Sequence, residues 1–346
     1  MSSFFGGTRR AFICGCAGPT LLPDEAAFLR ESQPLGFILF ARNCESPAQV
    51  RALTSALRDT VRDPEAFVLI DQEGGRVARL GPPHWRRPPA GEAFDQLAGR
   101  NAAAAERACY LNARLIAADL VNLGITVDCY PVLDLRVPGA DAVIGNRSLG
   151  TSPTQVATLG RMACQGLLDG GVLPVIKHMP GHGRTTVDSH HSLPVVSASL
   201  DVLQASDFEP FRALADMPIG MTGHVCYQAL DGSCPATTSA LIIERVIRGA
   251  IGFDGLLLSD DLSMAALSGT RAERAKAALD AGCDVALHCN GRLEEMCEIA
   301  SVAPVMRPKS VRRYERALGM RRTPVTTDPA ALCVELAGLM GEARVA

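Results

Sequence analysis

Eight short apolar runs punctuate the chain. They are "AFICG" from Ala11, "LGFILF" from Leu35 to Phe40, "FVLI" ending at Ile70, "ITVDC" ending at Cys129, "LPVIK" ending at Lys177, "MPIGMT" ending at Thr222, "GLLLS" ending at Ser259 and "CDVALH" ending at His288. They are Leu-rich or β-branched and lack in–out alternation, the pattern of strands buried on both faces. Longer helical segments lie between them. "SPAQVRALTSALRDTV" opens on Ser46-Pro47, "NAAAAERACYLNARLIAADLVNLG" closes on Gly124, and "SPTQVATLGRMACQGLLDGG" opens on Ser152-Pro153 and closes on a glycine pair. "TSALIIERVIRG", "TRAERAKAALDAG" and "RLEEMCEIASVA" follow the later strands. Strands alternating with helices predict a parallel α/β protein, and eight such units favour a closed (β/α)8 TIM-type barrel. The competing open sheet would be expected to carry GxGxxG after its first strand, and that motif is absent. The expected organisation is one catalytic barrel over residues 1–346, with 303–346 forming closing helices and a C-terminal tail.

Composition narrows the partners. The chain is 47% hydrophobic, enough to bury the core of one large barrel, and its net charge of −3 offers no basic excess for nucleic acid or an anionic membrane. Aromatics at 5% are too sparse for a base-stacking platform. The twelve cysteines include Cys14, Cys129, Cys283 and Cys297 inside apolar runs, and no CxxC occurs. They read as reduced core residues of a reducing compartment. At the N-terminus, "TRRAFICGCAG" has an arginine pair before an apolar run, but that run is short for an export signal and serves as the first strand. No stretch approaches the roughly 18 apolar residues of a membrane span. A cytoplasmic protein is expected. A monomer is the default, with the oligomeric state left open.

In such a barrel, chemistry sits where strands end and loops begin. Asp71 follows the third run, Asp128 and Asp134 the fourth, and Lys177 and His178 close the fifth. His224 follows the sixth, Asp260 and Asp261 the seventh, and His288 and Asn290 the eighth. One such residue could be a helix cap. Six strand ends offering polar groups to one mouth predict a site there.

The densest stretch is "KHMPGHGRTTVDSHH", Lys177 to His191, with four of the seven histidines. His178 and His182 are four apart, but Pro180, Gly181 and Gly183 forbid a helix that would align them for a metal. Neither HExxH nor an HxH after the first strand completes a metal set, and no metal or cofactor is expected. Asp188-Ser189-His190 instead pairs an imidazole with a carboxylate that could fix its tautomer, as acid/base chemistry requires. A surface turn would show the same local pattern.

Longer motifs weigh the choice. "KHMPGHG…DSH", "DQEGGRVARL", "IGNRSLG" and "GFDGLLLSDDLSM" together resemble glycoside hydrolase family 3, and the likeness runs in order over most of the chain, from about Phe37 to Gly291. They are most similar to its single-domain bacterial β-N-acetylglucosaminidases. The resemblance implies a (β/α)8 barrel and a retaining two-step mechanism. Asp260 matches the nucleophile. The acid/base would be His190 on the loop, oriented by Asp188, where other retaining enzymes use a second carboxyl about 5–5.5 Å from the first. Asp71, Arg79, Arg147, Lys177 and His178 match groups that hold the sugar and its N-acetyl arm. His182 and His224 would support the site. Asp261 is the rival to Asp260, with a helix cap near Leu262 as its plainer role. His84 and His191 match no role and are expected at the surface. Three positions depart from the family pattern: Met179 where Phe is commoner, Arg184 where an acidic or small residue is usual, and Asn146 where Asp is frequent.

The activity implied is exo-acting release of GlcNAc from GlcNAc–1,6-anhydro-MurNAc, with or without peptide, in cell-wall recycling. The substrate would be a small carbohydrate or muropeptide. A phosphorylase using the same histidine is the near alternative. A metal-dependent barrel hydrolase and a silent sugar-binding barrel are the others.

Overall fold

The structure, a computed structural model, describes residues 9–189 and 192–341. Each predicted run forms a parallel strand: β1 (Arg10–Cys14), β2 (Pro34–Leu39), β3 (Phe67–Ile70), β4 (Val127–Asp128), β5 (Leu173–Met179), β6 (Ile219–Thr222), β7 (Leu256–Asp261) and β8 (Val285–His288). They pair in sequence order, and β8 closes on β1 through Phe12–Ala286 to Cys14–His288. Helices lie between consecutive strands, which makes a (β/α)8 barrel. All six residues of β2 and all four of β3 are buried, as runs without alternation require.

Sequence signals set the helix ends. The Ser46 hydroxyl accepts from Gln49 N–H at the start of Pro47–Val61, and Asn101 caps Ala102–Val121 through Ala104 N–H. Thr270 and Glu273 form a reciprocal capping box, and Gly282 ends that helix at φ +117°, in the region glycine enters without a Cβ penalty. The segment Ile242–Ala250 is wound as a π-helix rather than an α-helix. β4 is shorter than "ITVDC" suggested. Beyond Asp128 its contact with β5 is irregular: Val175 N–H donates to Tyr130 O at 3.1 Å, and Val132 bridges to Lys177.

The cysteines are all free thiols. Cys14, Cys129 and Cys283 lie in the core, but Cys297 is exposed. Its helix, Leu293–Val302, buries Met296, Ile299 and Ala300, so Cys297 falls on the other face. Among the described residues no helix is long and apolar enough to cross a membrane.

The floor of the barrel is tied by one buried carboxylate. Asp284, at the head of β8, accepts from Arg313 at 3.0 Å, Arg248 at 2.8 Å, the Ser310 hydroxyl at 2.6 Å and Leu257 N–H at 3.0 Å. Arg313 and Ser310 lie on Pro308–Met320, so this helix is fastened under β7 and β8. A second terminal helix, Pro329–Met340, packs on Ala102–Val121 through Leu336. Arg114 holds the connection by donating to Val325 O at 2.7 Å. Removing one member of a buried, fully paired ion cluster leaves charge without a partner, which costs roughly 3–5 kcal/mol. Asp284→Ala should therefore lower the melting temperature strongly while the surviving folded fraction keeps its active-site behaviour. Thermal melts of the two proteins check this.

Candidate active site

The C-terminal ends of the strands surround a cavity of about 250 Å³. Asp71, Arg79, Arg147, Lys177, His178, His182, Asp188, Asp260 and Asp261 all line it. His190 and His191 lie outside the described residues. His84 is exposed, as expected.

One wall is a chain of buried and half-buried charges. Lys177 is 2% exposed, and its ammonium donates to Asp71 Oδ1 at 2.8 Å and meets Glu73 Oε1 at 2.7 Å. Arg79 binds the other oxygen of Asp71 at 3.1 Å, and Arg147 grips both oxygens of Glu73 at 2.8 Å. Burial opposes ionisation of Asp71, but Lys177 and Arg79 outweigh it and hold its carboxyl well below the usual range. Glu73 is likewise taken down to about 2, burial being outweighed by Arg147 and Lys177. Burial works against the Lys177 ammonium too, yet Asp71 and Glu73 raise its pKa, so it stays charged. The Arg79 guanidinium also lies 4.9 Å from the Phe40 ring centroid. Glu73 was not among the expected site residues. Its signal was the glutamate of "DQEGG", whose partners lie far off in sequence.

Asp134 organises the histidine loop. Its Oδ2 lies 2.6 Å from His178 Nδ1, and its Oδ1 accepts from His182 N–H at 2.7 Å. Nε2 is thus the His178 ring nitrogen left for a ligand. Gly183 passes so close to Leu135 that a Cβ would meet its carbonyl oxygen at 1.9 Å. His182 is 2% exposed and spends both ring nitrogens, on Thr185 Oγ at 3.1 Å and Ser189 Oγ at 3.2 Å. Burial, then the neighbouring His178, lowers its pKa to about 4. His178 and His182 therefore do not offer lone pairs to a shared ion.

Asp260 ends β7 beside the cavity. Burial would raise its pKa, but His224, His178 and the Asp261 N–H at 2.7 Å outweigh that and favour the carboxylate. Asp261 is occupied differently. Its Oδ1 accepts from Ser263 N–H at 3.0 Å and Cys289 N–H at 3.1 Å, and its carbonyl faces His224 Nε2 at 3.0 Å. No helix starts at Leu262. Residues 262–268 form turns and the next helix begins at Arg271, so Asp261 caps a turn rather than a helix. His224 is fully buried, and Thr237 Oγ holds its Nδ1 at 2.8 Å. His288 does not reach the cavity. Its neighbours Leu287 and Cys289 line the mouth, while its own ring turns outward, 3.7 Å from Glu295.

The departing positions have local partners. Arg184 pairs with the buried Asp207 at 2.6 Å, and Asn146 Oδ1 accepts from Arg76 at 3.1 Å. Met179 is wholly buried.

Comparison with known proteins gives consistent matches. Residues 22–313 match the family described as "Glycosyl hydrolase family 3 N terminal domain". A β-hexosaminidase of Chromobacterium violaceum is 41% identical over 307 residues, covering 86% of this chain and 84% of that protein. One from Alkalilimnicola ehrlichii is 40% identical over 282 residues, covering 80% of each chain. Among solved structures, NagZ from Neisseria gonorrhoeae in complex with N-trifluoroacetyl-D-glucosamine superposes with a TM-score of 0.87 at 33% identity, over 96% of this chain and 99% of that one. A family 3 β-N-acetylglucosaminidase from Paenibacillus sp. str. FPU-7 gives 0.84 at 30% identity, over 95% of this chain and 66% of that one.

Asp128 lies under the charge chain and provides a test of it. Its Oδ1 accepts from Gln72 N–H at 2.9 Å, while its buried Oδ2 has no partner. Burial raises its pKa from 3.8 to about 8. A carboxyl raised in the folded state contributes most stability below its unfolded value and loses it as pH rises through the folded one. Asp128→Asn keeps the acceptor and cannot ionise. Its melting temperature should gain on the parent protein from about pH 4 to about pH 8. A difference independent of pH would contradict the assignment.

Proposed function

This chain belongs to glycosyl hydrolase family 3, and from that premise we propose that its barrel mouth works as an exo-acting, retaining β-N-acetylhexosaminidase. The proposed substrate is GlcNAc–1,6-anhydro-MurNAc, with or without peptide, and the proposed role is cell-wall recycling. The observation that carries the reading is the pairing of an ionised Asp260 at the end of β7 with Asp188 of the histidine loop, both on one cavity.

In the first step Asp260 attacks the anomeric carbon. A carbon–oxygen bond to the carboxylate forms as the glycosidic bond breaks, and His190 gives its proton to the departing oxygen. In the second step His190 takes a proton from water, which displaces the Asp260 ester and restores the original anomeric configuration. Asp188 orients the imidazole and stabilises its charged form. Asp71, Arg79, Arg147, Lys177 and His178 hold the sugar. Hydrogen bonds to such charged groups are worth about 1.5–3 kcal/mol each, so a few of them fix one small sugar. His182 and His224 support the site. We place the protein in the cytoplasm, a setting that its free thiols support, with the whole chain serving as one catalytic barrel.

The test is release of nitrophenol from an aryl β-N-acetylglucosaminide in phosphate-free buffer with EDTA. The parent protein should turn over and release the β-anomer first. Asp260→Ala should lose at least about a thousandfold in kcat, and His190→Ala about 10²–10⁴-fold on substrates with poor leaving groups. Asp260→Ala retaining near-full activity would sink the assignment. A strict requirement for phosphate would move the reaction to a phosphorylase.

A further inference from the structure

The histidine loop is fixed at two depths. Its stem is rigid: Asp134 accepts from His178 N–H and His182 N–H, Gly181 N–H returns to His178 O at 2.8 Å, and the Tyr227 hydroxyl donates to Gly181 O. Among the described residues near its tip, Ser189 carries two separate anchors. The Ser189 side chain meets His182 Nε2 at 3.2 Å, and its carbonyl accepts from Ala266 N–H at 3.1 Å. Ala266 lies in the turns that follow the Asp260 strand. Ser189 is 2% exposed although Asp188, next to it, is not fully buried.

We infer that Ser189 and His182 are positioning residues, whose mutual hydrogen bond docks the segment carrying Asp188 over Asp260. This rests on the function proposed above. The proton pattern follows from the partners, hydrogens being assigned from the network. The Thr185 hydroxyl donates to His182 O at 3.1 Å, so its oxygen accepts from His182 Nδ1–H. Nε2 is then the lone pair, and the Ser189 hydroxyl donates to it. The buried ring stays neutral at working pH, so this direction is constant. Through Ser189 the segment carrying Asp188 is referenced to both the β5 stem and the turn after Asp260. Neither residue needs to touch substrate to do this. Loss of the bond should weaken proton transfer to the leaving group and leave binding of the sugar largely as it was.

Two glycosides separate these effects. Dinitrophenolate departs without a proton, whereas phenolate needs one. For Ser189→Ala, kcat/KM on the phenyl β-N-acetylglucosaminide should fall about tenfold, the factor that one ordinary hydrogen bond supplies. On the 2,4-dinitrophenyl glycoside it should fall less than about twofold by the same reasoning. Azide, which needs no general base, should speed dinitrophenyl turnover by the variant and not by the parent protein. His182→Asn should show the same split, and the double variant should be no worse than the poorer single one. If His182→Asn fails to fold, the Ser189→Ala pair of substrates decides alone. Equal losses on both glycosides, or no loss on either, would overturn the inference while parent activity left the proposed function standing. A parent protein inert to both would overturn the two together.

Discussion

The site depends on keeping the Lys177 ammonium charged inside a protein. A lone buried charge is prohibitive, and the group would give up its proton. Here it sits between Asp71 and Glu73, which are themselves held by Arg79 and Arg147. The chain has three cations and two anions, so each carboxylate is shared and the whole must be assembled together. That requirement fixes the loop after β3, which carries Asp71, Glu73 and Arg79, against β5 and against the Arg147 turn. It also explains Asp128. β4 runs between β3 and β5, so Asp128 is buried beside two carboxylates that are already ionised. Its own burial then keeps the proton on. A wall built this way presents fixed, ionised groups to the cavity in a preorganised arrangement.

The histidines show how a partner divides one residue type into different tasks. His178 shares its Nδ1 with a buried carboxylate, His182 with a hydroxyl, and His224 with a hydroxyl on one side and a carbonyl on the other. The Asp134 carboxylate brings a negative charge to one ring; the hydroxyl and carbonyl partners of the other two bring none. For His182 and His224 burial then lowers the pKa, and both rings serve as hydrogen-bonded connectors. The crowding of histidine in one short stretch thus serves several roles at once.

Much of this was legible in the chain. Strands buried on both faces announce themselves as continuous apolar runs, and the eight runs matched the eight strands of the barrel. Strand-end polarity located the mouth. What could not be read were pairings across the barrel. Glu73 looks like any glutamate beside a glycine pair until Arg147 and Lys177 arrive from elsewhere. Asp134 was visible as a strand-end acid, but its hold on His178 and His182 depends on how the β5 loop folds back. Asp261 misled for a local reason: an aspartate followed by Leu-Ser-Met suits a helix cap, yet the chain spends that acid on Ser263 and Cys289 and delays the helix to Arg271. His288 misled through alternation, since one step along β8 decides whether a side chain meets the cavity or the helices.

The three departures from the family pattern bear on how such a site tolerates change. Each is absorbed by a neighbour outside the charge chain. The Arg184 guanidinium leans away from the mouth onto Asp207 and Ser206, so a cation enters the loop without facing Asp260. Asn146 supplies an acceptor to Arg76, whose other bonds go to backbone carbonyls of residues 142 and 143. Met179 fills core space beside Gly220, where a flexible thioether adapts more readily than a ring. None of these exchanges alters the count of charges around Lys177, and none touches Asp134. The stem can therefore vary at positions whose partners lie outside the mouth. Asp71, Glu73 and Asp134 lack that freedom, because each satisfies two partners at once and no single replacement could satisfy both.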